Sequence, residues 1–306
     1  KLTPQKITPA MSSNAPVCEY EPVNFTDNSS IQNGSFSSTS WNFGDGNTAS
    51  KANPAHDYND GGYYQVKMVK TSGIGCQDSV MQTDTIHQQP QANYTFDTAC
   101  LGDSTHFTDQ STITQDQITS WSWDFAGKGT STKTNPSFQF SNADSFMVDL
   151  ITTSDKNCKD TVSKTIDVGA YPNSTFTTTG NCENDTLQFT DQTTLAYGHL
   201  QSWKWHFGDG DSSTVQNPDH HFDTNGTYQL QLVTTSNFQC TDTLNQPLSA
   251  LMTQLNALPV IPMLSQTRLH LTAEACLIPG ISGTGKQLLP KTPVTIIHQQ
   301  ALIPWN

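Results

Sequence analysis

The feature that most constrains this chain is a motif written three times at equal spacing. Trp41-Asn42-Phe43-Gly44-Asp45-Gly46 returns as Trp205-His206-Phe207-Gly208-Asp209-Gly210. A worn version, Trp123-Asp124-Phe125-Ala126-Gly127-Lys128, stands midway between them. A fixed period implies repeated small units rather than one large core, each near the lower limit at which a hydrophobic core suffices. Cys18/Cys76, Cys100/Cys158 and Cys182/Cys240 follow the same rule: the spacing within each pair is identical, and each pair is shifted by the same period from the last. Cys276 is left over. Close Cys-x₂-Cys spacing, the mark of a metal site, is absent. The expectation is therefore one disulfide per repeat, each closing most of its unit into a loop. In the chain-entropy model each such bond stabilises its unit by about 4 kcal/mol. Disulfides persist in oxidising compartments, which implies an exported protein.

Inside each unit the hydrophobic pattern has period two. Val23-Asn24-Phe25-Thr26, Thr105-His106-Phe107-Thr108 and Leu187-Gln188-Phe189-Thr190 alternate as half-buried strands do. Trp41 and Phe43 fall on one face of a strand that ends in the Gly44-Asp45-Gly46 turn. Asn53-Pro54 reads as a further turn, repeated at Asn135-Pro136 and Asn217-Pro218. A long strand follows, carrying Tyr64/Val66/Met68, Phe146/Val148/Leu150 and Tyr228/Leu230/Leu232. The second cysteine of each pair then opens a last strand. Six or seven short strands with frequent turns and no helical period predict an antiparallel β-sandwich. The chain is expected to be all-β: a linker or entering strand at 1–15, repeats at 16–89, 90–171 and 172–248, and an irregular tail at 249–306.

These motifs resemble the PKD domain, an immunoglobulin-like β-sandwich. The resemblance rests on Trp-x-Phe-Gly-Asp-Gly (Trp41, Phe43, Gly44, Asp45, Gly46), then Asn53-Pro54-Ala55-His56-Asp57-Tyr58, then Gly62-Tyr63-Tyr64-Gln65-Val66. Repeat 3 carries Trp205, Phe207, Gly208, Asp209, Gly210, Asn217, Pro218 and His220 in the same register. Repeat 2 keeps Trp123 and Phe125 but has Ala126-Gly127-Lys128 at the turn, Phe138 for the histidine and Asp144 for the later glycine. The resemblance covers all three repeats and implies extracellular spacers or binding modules, of the kind found in bacterial surface proteins, adhesins and secreted hydrolases. The implied role is a non-enzymatic spacer, adhesion or binding module that meets extracellular protein or polysaccharide. The alternative is the accessory binding region of a secreted hydrolase.

Composition agrees with an exposed β-protein. Apolar residues make up 34% of the chain and the formal net charge is −13. With Arg268 as the single arginine, no basic patch is available for nucleic acid. No apolar run reaches the roughly 18 residues that span a bilayer. Gly-x-Ser-x-Gly, His-Glu-x-x-His and phosphate-loop motifs are all missing, so no catalytic residue is assigned. Asp45 and Asp209 are candidates for a Ca²⁺ site, since hard cations need clustered carboxylates; otherwise no cofactor is expected. Gly-Asp-Gly is first of all a turn sequence, however. His56 and His220 read as packing rings, because Phe138 takes the same place. Trp121 and Trp203, two residues before the signature tryptophans, either extend the core or offer an aromatic platform to sugars or a partner.

The tail breaks the pattern. Residues 251–306 hold a single acid, Glu274, and are rich in Leu, Ile and Pro. Suppose each tail codon is re-read from the third base of one residue plus the first two of the next. Pro279/Gly280 then permits Trp and the next five junctions Asn/Asp-Phe-Gly-Asp-Gly, while Lys291/Thr292 permits Asn, Thr292/Pro293 Pro and Val294/Thr295 His. Each lies at one constant offset from its counterpart in repeat 1, the offset that carries Trp41 to Pro279. The tail is therefore read as a fourth repeat translated out of frame, the alternative being a genuine Pro-rich linker or docking segment. The coding DNA between residues 244 and 256 decides between them.

Overall fold

The structure, a computed structural model, describes residues 5–180, 186–224 and 226–250, and the backbone of 277–278. No helix occurs among the described residues. Repeat 1 contains β1 (Lys6–Thr8), β2 (Met11–Ser13), β3 (Val17–Cys18), β4 (Pro22–Asp27), β5 (Ser30–Gln32), β6 (Phe36–Asn42), β7 (Thr48–Ala49), β8 (Ala55–Asp57), β9 (Gly62–Ser72) and β10 (Gln77–His87). They form a five-stranded sheet β3-β10-β9-β6-β7, a three-stranded sheet β2-β4-β8 and the small pair β1-β5. β3 lies parallel to β10, with Cys18 opposite His87. Residues 1–15, read from the sequence as a linker or entering strand, carry β1 and β2, which pair with β5 and β4.

Repeat 2 contains β11 (Tyr94–Phe96), β12 (Ala99–Cys100), β13 (Thr105–Asp109), β14 (Ile118–Phe125), β15 (Thr130–Ser131), β16 (Ser137–Phe138), β17 (Asp144–Ser154) and β18 (Lys159–Gly169). Its sheets are β12-β18-β17-β14-β15 and β11-β13-β16. Repeat 3 contains β19 (Phe176–Gly180), β20 (Thr186–Asp191), β21 (Leu200–His206), β22 (Ser212–Ser213), β23 (Asp219–His221), β24 (Gly226–Ser236) and β25 (Thr241–Ala250). Its sheets are β19-β20-β23 and β22-β21-β24-β25, the latter extended by β26 (Leu277–Ile278). The reading of the tail as an out-of-frame repeat otherwise lies outside the described residues.

Alternation builds each core. Val23 and Phe25 turn inward from β4, Trp41 from β6, and Val66 and Met68 from β9. The corresponding clusters hold Phe107, Trp123, Val148 and Leu150 in repeat 2, and Phe189, Trp205, Leu230 and Leu232 in repeat 3. Trp41, Trp123 and Trp205 are fully buried. Burying an aromatic side chain of this size removes on the order of 200 Å² of surface from water. Each indole N–H still finds a backbone acceptor, Lys51 O, Lys133 O or Val215 O, at 2.9–3.0 Å.

Two compact units divide the chain. The first comprises Lys1–Pro172 with two segments of repeat 3, Leu195–Gln201 and Thr235–Thr241; the second comprises Asn173–Thr194, Ser202–Thr234 and Asp242–Asn306.

The disulfides correct the sequence reading. Cys18 bonds to Cys158 and Cys100 to Cys240, each across a sequence separation of 140 and from one repeat to the next. The within-repeat pairs Cys18/Cys76, Cys100/Cys158 and Cys182/Cys240 do not form. Cys182 itself lies outside the described residues, and Cys76 is a free, exposed thiol. Strand length gives the reason. Cys18 sits opposite His87 at the end of β10, whereas Cys76 stands just before that strand begins. The extended chain of β10 puts the two on the order of 35 Å apart. A disulfide tolerates Cα separations of no more than about 7 Å. The bonds that do form have Cα–Cα distances of 5.7 and 5.8 Å.

Candidate functional site

The Gly-Asp-Gly turn and the histidine that follows it are brought together. Gly44 and Gly208 have φ of +86° and +87°, and a Cβ on either would come as close as 2.8 or 2.7 Å to the Gln65 or Gln229 backbone. In the turn of repeats 1 and 3, with positive φ also at Gly46 and Gly210, only glycine fits both demands, whereas repeat 2 turns differently, with positive φ at Ala126 and Gly127. Repeat 2 places Ala126 in this position at φ 55°. The Asp45 carboxylate accepts the Asn47 backbone N–H at 3.0 Å, the Asn47 side-chain amide at 2.9 Å and His56 Nε2 at 2.7 Å. Asp209 accepts the Asp211 N–H at 3.0 Å and His220 Nε2 at 2.7 Å. Burial pushes the Asp45 carboxyl up, but its hydrogen bonds to Asn47 and His56 outweigh that and leave it below the ordinary carboxylate value. Asp209 is lowered on the same balance, with Asp211 and His220 as donors.

The histidine ring belongs to an aromatic ladder. Phe43 stacks on His56 at 4.2 Å, His56 meets Tyr58 edge-on at 4.6 Å, and Tyr58 packs on Tyr64 at 4.2 Å. Repeat 3 repeats this with Phe207, His220, Phe222 and Tyr228 at 3.9, 4.5 and 4.3 Å. Repeat 2 builds it from Phe125, Phe138, Phe140 and Phe146 at 4.4, 4.8 and 4.2 Å. The same stack therefore forms with phenylalanine or with histidine. What the histidine adds is the hydrogen bond to the turn aspartate.

Asp209, Asp211 and His220 each present one possible metal-ligating atom, all within 4.8 Å of one another. Repeat 1 has Asn47 where repeat 3 has Asp211, so the Asp45 turn lacks the second acid. Both Asp45 oxygens are already hydrogen-bonded acceptors.

A second recurring group is built on the Phe-Thr-Asp that closes the first alternating strand of every repeat. Asp27, Asp109 and Asp191 end their strands with the backbone N–H held by the turn asparagines Asn53, Asn135 and Asn217 at 2.8–2.9 Å. In repeats 2 and 3 the carboxylate accepts the indole N–H of Trp121 or Trp203 at 2.8 Å. Both tryptophans are half-buried against their cores. In repeat 1 the position of Trp121 is Thr39, and Lys70 fills the space. Lys70 Nζ donates to Asp27 at 2.5 Å and to Thr39 Oγ1 at 2.6 Å, and lies 4.1 Å from the Phe36 ring centroid. The lysine is buried, and repeats 2 and 3 have Thr152 and Thr234 in its place. Burial pushes the Asp27 carboxyl up, while the hydrogen bonds from Lys70 and Ser29 bring it below its ordinary value.

Comparison with known proteins agrees with this architecture. The family model described as PKD domain matches residues 7–87, 87–169 and 170–249. The chain is a tandem of PKD-domain repeats and belongs to that family. Collagenase ColA of Bacillus cereus is 31% identical over 96 residues, which is 30% of this chain and 10% of the collagenase. Among solved structures, the PKD1 domain of the Vibrio cholerae metalloprotease PrtV is 32% identical. It aligns over 26% of this chain and 96% of its own length, with a TM-score of 0.25. The PKD1 domain of Vibrio anguillarum Epp is 30% identical over 26% of this chain and 94% of its own, also with a TM-score of 0.25. No helix among the described residues is long and apolar enough to cross a membrane.

Proposed function

We propose that this chain is a non-enzymatic extracellular spacer and display module within a larger bacterial surface or secreted protein. The observation that carries the reading is the staggered pair of disulfides, Cys18–Cys158 and Cys100–Cys240. A bond inside a repeat would protect only that repeat. Bonds from each repeat to the next resist stretching of the array as a whole, which is what a spacer between a cell or enzyme and its target must do. The shortest covalent path from Cys18 to Cys240 crosses to Cys158, runs back along the chain to Cys100 and crosses again. Oxidising conditions outside the cytosol keep such bonds closed.

Single-molecule pulling from the two ends tests this. With the disulfides intact, only the segment between Cys100 and Cys158 can extend between Cys18 and Cys240; after reduction the whole chain from Cys18 to Cys240 can. At about 3.5 Å per residue the two states differ by roughly 570 Å. Equal lengths before and after reduction would remove the clamp and the main support for the proposal.

The stretch shared with a collagenase favours a second reading, an accessory region that binds protein or polysaccharide for a catalytic domain. On that reading the half-buried Trp121 and Trp203 would supply the platform. Sedimentation with insoluble polysaccharide or collagen separates the two, since retention lost on Trp121→Phe or Trp203→Phe substitution supports binding and no retention supports the spacer. A role for Ca²⁺ rests on the turn of repeat 3, where Asp209, Asp211 and His220 converge. A thermal midpoint that rises with Ca²⁺ and no longer does so in Asp211→Asn would establish it.

A further inference from the structure

We propose that Cys76 is the attachment point for another repeat of the same kind, through a disulfide to that repeat's first cysteine. This goes beyond the spacer reading, and the tests are independent: pulling probes the two bonds already present, whereas Cys76 takes part in neither.

The argument starts from the hairpin that carries the second cysteine. It is built the same way three times, as Ser72-Gly73-Ile74-Gly75-Cys76, Ser154-Asp155-Lys156-Asn157-Cys158 and Ser236-Asn237-Phe238-Gln239-Cys240. In each, the serine N–H donates to the cysteine carbonyl at 2.8–2.9 Å. The serine hydroxyl accepts the cysteine N–H at 3.1–3.2 Å. The residue before the cysteine has a positive φ: 87° at Gly75, 66° at Asn157 and 65° at Gln239. Cys76 is therefore presented in the same frame as Cys158 and Cys240.

In repeats 2 and 3 that frame is docked. Cys158 is buried, bonded to Cys18, with its Sγ 4.0 Å from the carbonyl of His87, the last residue of β10. Cys240 is likewise buried and bonded to Cys100. Its neighbour Phe238 packs so tightly on Gly169, the last residue of β18, that a Cβ there would meet the Phe238 and Cys240 side chains at 2.5 and 2.8 Å. Phe238 also stacks on Tyr197 at 5.6 Å, and the Tyr197 hydroxyl donates to Asp167 at 2.7 Å. Twice, then, the hairpin seats on the final strand of the preceding repeat and closes a bond to the two-residue strand beside it. On repeat 1 the same hairpin has no repeat seated on it among the described residues. Cys76 is exposed and unbonded, and Ile74, in the place of Phe238, is 69% exposed. A free thiol at a position bonded in both other repeats, beside an exposed apolar side chain at the position that Phe238 docks in repeat 3 and exposed Lys156 takes in repeat 2, defines the missing partner. It is the end of a last β-strand with a cysteine beside it at the place of Cys18 and Cys100, upstream of Cys76 by the same separation of 140 that both bonds show.

Bond formation balances by thiol–disulfide exchange. Oxidised glutathione, or a disulfide-bearing oxidase, first forms a mixed disulfide with the partner cysteine and releases one thiol. The Cys76 thiolate then attacks the partner sulfur, expelling the second thiol; two protons and two electrons leave the cysteine pair and reduce one disulfide of the oxidant.

Peptide mapping without reduction, on the protein secreted by its own host, decides the matter. The peptide containing Cys76 is expected to be linked to a peptide whose cysteine lies upstream at that same separation, with no Cys76 alkylated by iodoacetamide before reduction. Recovery of Cys76 as an alkylated thiol, as a glutathione adduct, or bonded to Cys182 or to a second copy overturns the proposal. A second test replaces residues 1–7 of the present chain by a copy of residues 90–171 whose second cysteine is replaced by serine, which sets the added first cysteine at the separation of 140 from Cys76. After oxidation with glutathione, Cys76 should bond the first cysteine of the added repeat, while the Cys18–Cys158 and Cys100–Cys240 peptides report correct folding in the same map. With those two bonds formed, a free Cys76 counts against it.

Discussion

At the scale of single residues, the three repeats meet one recurring need in two ways. Asp27, Asp109 and Asp191 each bring a carboxylate to the edge of the core, where an unpaired charge is costly. Repeats 2 and 3 answer with an indole N–H, and repeat 1 answers with buried Lys70 and the Thr39 hydroxyl. The two solutions use the same pair of sites in opposite ways, Thr39 with Lys70 or Trp121 with Thr152, so the substitutions should be strongly coupled. Lys70→Thr alone leaves Asp27 without its cation and should cost about 3 kcal/mol. Adding Thr39→Trp should restore the urea midpoint to within about 1 kcal/mol of the parent, measured as a double-mutant cycle. A second prediction concerns acid. The carboxyls of Asp27, Asp45 and Asp209 sit below their ordinary values in the fold. Their contribution is fully present above the unfolded value near 3.9 and is lost as pH falls through the lowered folded values. The melting temperature should be level from about pH 7 to about pH 5 and fall below about pH 4; a rise on acidification would contradict the assignment.

At the scale of elements, the turn and the ladder behave as one device. Trp-x-Phe sets the strand, Gly-Asp-Gly reverses it, and the histidine two strands later closes over Phe43 or Phe207 and ties back to the turn aspartate. Because Phe138 fills the same stack in repeat 2, His56→Phe should change stability by less than about 1 kcal/mol, whereas His56→Ala, which loses the ring contacts as well as the hydrogen bond to Asp45, should cost about 2 kcal/mol. Thermal melts of the two variants check this. A collapse on His56→Phe equal to that on His56→Ala would mean that the hydrogen bond, rather than the ring, carries the element. Most of this device is legible in the sequence, because alternation along Val23–Phe25 or Tyr64–Met68 reports directly which side chains face inward. The Lys70–Asp27 pair is not, since its members stand far apart in the chain and each looks like an ordinary surface charge on its own strand. The cysteine pairing eludes the sequence for a related reason. A strict period makes spacing equally regular within and between repeats, and only the length of β10 places Cys18 and Cys76 at opposite ends of the sandwich.

At the scale of the molecule, the two disulfide-closed loops overlap, so neither can open fully while the other is closed. In the chain-entropy model each closes enough chain to be worth about 5 kcal/mol, more than a bond confined to one repeat, provided its partners are held together by the fold. The pairing gives a sharp prediction for the 306-residue chain. Cys18→Ser and Cys158→Ser each break the same bond, so they should lower the urea midpoint of the oxidised protein equally, and the double variant should be no worse than either single one. Cys76→Ser should change nothing, because its thiol is exposed and unbonded. Within-repeat bonding demands the reverse: Cys76→Ser would then match Cys18→Ser, and Cys158→Ser would match Cys100→Ser instead. Four single variants and one double therefore distinguish an array bonded from repeat to repeat from three separately bonded domains, and the same measurement weighs the clamp on which the proposed spacer role rests.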